Sequence, residues 1–393
     1  MERREIERLM ENIYTSAEAA EYLNISVQRL HQLVKDKQIK PIKSTKSVTL
    51  FYKNDLTERK ISNFSNHITI DRKKDGFNID VQYVRDAILY FTIQQYFNNS
   101  DKKTLKFIDQ IKQNNDFNFH EGLQINIKKL ATILNVTQSD FYNMYLKVKY
   151  SFQQLDEDVI LVSKNDELYP KSLAAVLDCP PYLFMKGNIH LLDEKAVCVV
   201  GSRNASMKGI SDTKRIVSSL SKRNIVVISG LAKGIDTAAH STALQVKGKT
   251  IAVIGTPINQ YYPKENKALQ QAIEKEGLVV SQFPPCNPIA RWNFPLRNAT
   301  MSGLSLATII MEAGETSGAL KQADSALKQG RSVLIPQSAL DNTLIKWPSK
   351  YVKKGASVFS TLKEAFMVLS QNNILTEILT NISSEEVMNV EMD

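Results

Sequence analysis

A chain of 393 residues exceeds what one ordinary hydrophobic core organises, and at about 150 residues per domain it predicts two or three. A hydrophobic fraction of 43% with 23% charged residues excludes a disordered or low-complexity chain, and a net charge of +9 favours an anionic partner without locating it. Cys179, Cys198 and Cys286 stand apart, with no CxxC pair and no histidine at ligand spacing. Buried thiols in a reducing compartment are therefore expected, with no metal site and no disulfide framework. The opening MERREIERLMENIY is charged where a signal peptide is apolar. No run approaches the ~20 apolar residues of a membrane helix, so a cytoplasmic location is expected.

The first domain is expected over residues 1–60. SAEAAEYL at 16–23 predicts a short helix capped by Ser16, with Glu18 nearby. Ser26 then caps a second helix running to Lys35, and residues 39–52 alternate apolar and polar about Ser44-Thr45-Lys46 as a hairpin does. Helix, turn, helix and hairpin is the plan of a winged helix-turn-helix. Seven basic residues against one acid lie between Asn24 and Lys53, a net six of the chain's nine positive charges. In such a module the second helix enters the major groove and the wing meets phosphate, so Arg29, Lys35, Lys37, Lys43 and Lys46 are the expected contacts to duplex DNA. The segment resembles the MerR/excisionase type of module.

Residues 61–155 read as a small helical domain. Val81–Phe97 and Lys103–Gln113 carry apolar residues at helical spacing, and 125–150 reads as helix, turn at Asn135-Val136-Thr137, and helix. Phe141, Tyr142 and Tyr145 are expected on its packed face rather than as a stacking platform.

From 156 to 370, short Val- and Ile-rich runs alternate with helical stretches. The runs are 196–200, 225–228, 250–254, 278–280, 307–311 and 332–335; the helices are 208–222, 236–247, 265–276 and 317–329. Fully apolar strands need cover on both faces, which predicts an α/β class: a Rossmann-like, doubly wound parallel sheet. Ligands bind beyond the carboxyl ends of such strands. Gly201-Ser202-Arg203 follows the first strand and Ser229-Gly230-Leu231-Ala232-Lys233-Gly234 the second. Small residues there let backbone N–H groups reach a phosphate, the next helix N-terminus favours negative charge, and Arg203 and Lys233 add cations. Residues 371–393 are expected as a short acidic tail.

The stretches Tyr169-Pro170, Pro180-Pro181, Gly187, VVGSRNAS, SGLAKGIDTAAH, KTIAVIG, YYP, FPLRN and EAGETSGAL occur in the order and spacing of the DNA-processing protein A family (DprA, also called Smf). The resemblance implies a protein that binds single-stranded DNA without sequence preference, forms a homodimer and helps load RecA during natural transformation. It implies phosphate contacts from Arg203, Lys233 and Arg297, and a pocket shaped by Gly201, Ser202, Ser229, Gly230, Gly234, Asn298, Ser317 and Gly318. Tyr262, Trp292 and Phe294 are candidates for base stacking, with core packing the expected role of each. The dimer interface is expected on helix 317–329 and the strand after it. No cofactor and no catalytic residue is implied. Asp236 and His240, four apart on one helix, are expected to serve the helix rather than acid–base chemistry.

The chain departs from the family pattern at several positions. Ala299 stands for a second arginine, Gln282 for a glutamate and Gln337 for a glycine, and DNTLIKWPSK replaces a Gly-rich stretch. The winged helix lies at the opposite end from the family's. These departures favour, as the alternative, a nucleotide-sensing or DNA-binding regulator in phage defence or a mobile element. A nicotinamide dehydrogenase is excluded by the first loop, which lacks GxGxxG, and by the second strand, which ends in Ser229-Gly230 without an acid. EAGETSGAL lacks the PGGxGTxxE arrangement of the lysine-decarboxylase-like enzymes.

Overall fold

The computed structural model describes residues 13–23, 26–36, 39–45, 48–52, 56, 81–113 and 122–371. The chain divides into two units, one ending at Asp75 and one beginning at Gly76. In the first, β1 (Ile13–Thr15), α1 (Ser16–Leu23), α2 (Val27–Lys35), β2 (Lys43–Ser44) and β3 (Thr49–Tyr52) give two helices and a three-stranded antiparallel sheet of order β1-β3-β2. The expected helices and hairpin are present, and β1 adds a third strand. The cap of α1 is Thr15 rather than Ser16: Thr15 N–H and hydroxyl both donate to Glu18 Oε2 at 2.8 Å, and Glu18 N–H returns to Thr15 Oγ1 at 3.4 Å. That reciprocal pair is a capping box, which registers one residue earlier than Ser16 would place it. Ser26 accepts from Arg29 N–H at 3.1 Å, as expected. Ala19, Ala20, Leu30, Leu33, Ile39, Phe51 and Leu56 close the small core. Arg29, Lys35 and Lys43 are exposed, while Lys37 and Lys46 lie outside the described residues.

The second unit opens with four helices, α3 (Gln82–Gln95), α4 (Asp101–Gln113), α5 (Leu123–Ile133) and α6 (Gln138–Gln153). Thr137 caps α6 by accepting from Asp140 N–H at 3.0 Å, and Asn135 turns the chain at φ 55°. Phe141 and Tyr145 are buried as expected, whereas Tyr142 faces solvent. These helices do not form a core of their own. Phe91 and Phe152 pack on Phe184 of the sheet at ring separations of 5.8 and 5.7 Å, and Tyr90 on Tyr182 at 5.3 Å. The same cluster runs on through Ala252, Ile254 and Val279, so hydrophobic packing is continuous across residue 155. Burying each such aromatic ring contributes roughly 1.5–3 kcal/mol, which ties the helices to the sheet.

The sheet contains β4 (Ile160–Ser163), β5 (Tyr182–Gly187), β6 (Ala196–Val200), β7 (Val226–Ser229), β8 (Thr250–Ile254), β9 (Leu278–Ser281), β10 (Ala307–Ile310), β11 (Ser332–Pro336) and β12 (Ser357–Phe359). Its helices are α7 (Lys171–Ala174), α8 (Met207–Lys222), α9 (Ile235–Gln245), α10 (Lys267–Glu276), α11 (Asn293–Leu304), α12 (Gly318–Lys328), α13 (Gln337–Asp341), α14 (Trp347–Lys353) and α15 (Leu362–Gln371). Strand order is β12-β11-β10-β6-β7-β8-β9-β5-β4. Seven neighbouring strands from β12 to β9 are parallel; six of them fall on the expected apolar runs and β12 is a further edge strand, while β5 and β4 close the other edge antiparallel. From β6 the chain winds outward through β7, β8 and β9, then returns to the other side of β6 with β10. Between β6 and β10 the winding reverses, and there the carboxyl ends of the strands open a crevice.

Candidate functional site

A cleft of about 420 Å³ occupies that crevice. The loop after β6 supplies Gly201, Ser202, Arg203 and Asn204; the loop after β10 and the start of α12 supply Gly314, Thr316, Ser317, Gly318 and Ala319. Helix α11 contributes Phe294, Arg297, Asn298 and Met301, while Ala232, Asp236 and Gln322 complete the floor and back wall. Of the eleven residues expected here, Gly201, Ser202, Arg203, Arg297, Asn298, Ser317 and Gly318 line the cleft; Ser229, Gly230, Lys233 and Gly234 do not.

Arg203 is exposed, its guanidinium 5.8 Å from the Phe294 ring centre. Arg297 is buried. Its Nη1 donates to Gly230 O at 2.5 Å and Val253 O at 2.6 Å, and its Nε to Asn298 Oδ1 at 3.1 Å. It thereby holds the ends of β7 and β8 together and balances the buried Asp236, whose carboxyl burial pushes up and Arg297 pulls back down. Asp236 also accepts from Ala232 N–H at 3.2 Å. Lys233 stands outside the cleft, paired with Glu265 at 2.7 Å with both side chains more than half exposed. Such a surface pair is worth little and is readily exchanged for another anion.

The glycines separate into two kinds. A Cβ on Gly230 would lie 2.6 Å from the Arg297 guanidinium, and one on Gly201 2.5 Å from Ile235. Gly234, at φ +73°, would collide with the Ser202 carbonyl. These three make room for other parts of the protein, the Arg297 side chain, Ile235 and the first loop, rather than for a ligand. Around Gly314 and Gly318 nothing lies within 4 Å of the added carbon, and both face the cleft. Ser229 is likewise occupied, its hydroxyl donating to Val199 O at 2.7 Å. Ser317 accepts from Ala319 N–H at 3.2 Å as the cap of α12, and Asn298 Nδ2 donates to Gly318 O at 3.2 Å.

Tyr262 and Trp292, expected in the core, are 42% and 60% exposed; Tyr262 sits 5.5 Å from Phe294, centre to centre. Arg203 and Phe294 line the cleft and Tyr262 stands against Phe294, so a cation and two aromatic rings adjoin there. Met301 and Gln322 were not expected in the lining: Met301 lies on a helix that the sequence marks only by the FPLRN motif, and Gln322 on the buried face of α12, where periodicity reads as core. The altered family positions carry internal bonds: Thr300 donates to Gln282 Oε1 at 2.5 Å, and Gln329 Nε2 to Ala299 O at 3.0 Å.

His240 is fully buried on α9, one turn after Asp236. Thr250 gives its hydroxyl proton to Val227 O at 2.8 Å, so His240 Nδ1–H is the donor to Thr250 Oγ1, also at 2.8 Å. Burial, reinforced by the Arg297 charge, pushes the imidazole down to about 3 from 6.5. The unfolded ring takes up a proton near pH 6.5 and the folded ring does not, so this contribution to stability is full above 6.5 and falls as pH drops toward 3. Denaturant titrations are expected to show stability rising with pH between about 4 and 6 more steeply in the wild type than in His240→Asn, by about 1 kcal/mol per pH unit.

The free cysteines behave as expected at Cys179 and Cys198, which are buried; Cys286 is half-buried, its thiol pushed up to about 11 chiefly by burial. Among the described residues no helix is long and apolar enough to cross a membrane.

Comparison with known proteins bears on the same region. The family model described as DNA recombination-mediator protein A matches residues 160–370, and a helix-turn-helix domain model matches residues 13–60. DNA processing protein DprA of Streptococcus pneumoniae is 43% identical over 202 residues, covering 50% of this chain and 71% of that protein. The Bacillus subtilis protein of the same name is 31% identical over 247 residues, covering 63% and 82%. The crystal structure of the S. pneumoniae protein superposes with a TM-score of 0.59 at 31% identity, over 71% of this chain and 97% of that one.

Proposed function

The chain belongs to the DNA recombination-mediator protein A family, known also as DprA or Smf, and on that premise we propose that its cleft binds single-stranded DNA through the sugar–phosphate backbone without reading sequence. The observation that carries the reading is the group at the cleft: an exposed guanidinium over the Phe294 ring, the exposed Tyr262 against that ring, and an open helix N-terminus in the same lining. A cationic contact alternating with π-faces is what a base-tolerant strand site requires. Arg203 and the start of α12 receive phosphate; Tyr262 and Trp292 receive bases.

The N-terminal unit binds duplex DNA, with Arg29 and Lys35 on the second helix and Lys43 on the wing; their exposure supports this reading. The protein is a binding factor rather than an enzyme. Asp236 and His240, the pair that could suggest acid–base work, are fixed by internal hydrogen bonds. As the family resemblance implies, the bound strand is protected and passed to a RecA-type recombinase by a cytoplasmic homodimer. The outward positions of α12 are Lys321 and Lys328, so an interface there would be polar.

Fluorescence anisotropy with a ~20-nucleotide strand across a salt series tests the cleft. Counterion release gives a log–log slope of about −0.7 per phosphate neutralised on single strands. Arg203→Ala is expected to weaken binding and flatten the slope by roughly one such step, whereas Lys233→Ala, outside the cleft, changes it by less. Equal slopes for wild type and Arg203→Ala would remove the cleft from the strand path.

A further inference from the structure

Helices α8 and α12 both begin at the cleft end of the sheet, and the chain treats their N-termini differently. At α8 the positive end is already filled. Ser206 N–H donates to Glu312 Oε1 and Oε2 at 3.2 and 3.1 Å, and Ser206 hydroxyl to Oε2 at 2.6 Å. Gly209 N–H donates to Ser206 Oγ at 3.0 Å, and the carboxylate fills the space that a Cβ on Gly209 would need. Ser202 N–H bonds to the main-chain oxygen of Glu312 at 2.7 Å, which fixes the glutamate against the first loop. A dinucleotide-binding sheet keeps this helix end for pyrophosphate. Here a side chain of the protein occupies it.

At α12 the end is open. Ser317 gives it only its own cap, and Gly314 and Gly318 leave clear space toward the cleft. One turn further along the same face, Gln322 is fully buried yet lines the cleft. Its Nε2 is directed to Thr308 Oγ1 at 3.4 Å and Cys198 Sγ at 3.6 Å, while Oε1 has no partner. An unpaired acceptor at that depth is costly unless a ligand donor completes it.

We propose that Glu312 is a specificity-determining residue: it closes α8 to phosphate, so the cleft receives one phosphodiester at α12 and rejects nucleoside di- and triphosphates. The inference rests on the cleft being the strand-binding site proposed above. Gln322 Oε1 accepts an N–H or O–H of the nucleoside attached to that phosphate. A second phosphate on the same ligand would meet the carboxylate at the neighbouring helix end, where like charges repel.

Isothermal titration of the full chain with inorganic pyrophosphate tests this, with a thermal melt to follow folding of each variant. Glu312→Ala vacates the α8 terminus and is expected to raise pyrophosphate affinity about tenfold over wild type. Glu312→Gln keeps shape and one acceptor while removing the charge, and is expected to gain about threefold, which decides the matter should the alanine variant not fold. Wild-type affinity for pyrophosphate in a folded variant of either kind overturns the proposal. Strand binding is measured separately on wild type: its absence would sink the strand reading, while the pyrophosphate comparison still decides the role of Glu312.

Discussion

Arg297→Ala should lower the stability of the α/β unit by roughly 2–5 kcal/mol, the loss expected when two buried carbonyls lose their donor and a buried carboxyl loses a nearby positive charge. The substitution strands Asp236 and leaves the Gly230 and Val253 carbonyls, which now accept at 2.5 and 2.6 Å, without their donor. The family motif makes this arginine a phosphate contact, and its side chain does line the cleft. Its bonded atoms nonetheless serve the sheet. Chemical denaturation separates the two roles. If Arg297→Ala unfolds at wild-type denaturant concentration and loses only strand affinity, the bracing role is wrong and the residue is a contact alone.

Gly318→Val should have the opposite signature: strand affinity falls tenfold or more, about 1.4 kcal/mol or above, with little loss of stability. Space beside Gly318 is open and belongs to the cleft, so a branched side chain there takes the ligand's place without meeting protein. Valine has the better helix propensity of the two by about a few tenths of a kcal/mol, so the helix itself is not weakened. Gly230→Ala serves as the contrast. Its new carbon lies 2.6 Å from the Arg297 guanidinium, so it should destabilise first and weaken binding only as a consequence. Anisotropy and denaturation on the same samples distinguish them. A Gly318→Val protein that binds strand as the wild type does would move the phosphate site away from α12.

Six of the parallel strands were legible because burial on both faces leaves an unbroken apolar run, as in AVCVV at 196–200; the half-buried three-residue edge strand β12 leaves no such run. The short antiparallel strands β4 and β5 were not, since Pro170, Pro180 and Pro181 make that stretch resemble a loop and edge pairing leaves no separate signal. Composition at strand ends located the cleft loops. It could not say which way each group faces. A glycine that admits a phosphate and one that admits a neighbouring loop look alike in sequence, and only the structure sets Gly318 apart from Gly230. Arg297 is a cation in a motif whichever acceptor it meets. Tyr262 and Trp292 were expected inside because large aromatics usually are, yet both stand substantially in solvent. Glu312 carried no signal alone, for its partner Ser206 is 106 residues away.

The cross-bracing of the three strand-end loops bears on how fast a strand can be captured. Ile235 N–H bonds to Ser202 O at 3.1 Å, Ser202 N–H to Glu312 O at 2.7 Å, and Arg297 spans from Gly230 to Val253. A rim tied this way has little freedom left to surrender when a ligand arrives, so the ordering cost falls on the flexible strand. Association should then be governed by encounter and by the charge at the mouth, with a rate that drops as salt rises and no slow phase of loop closure.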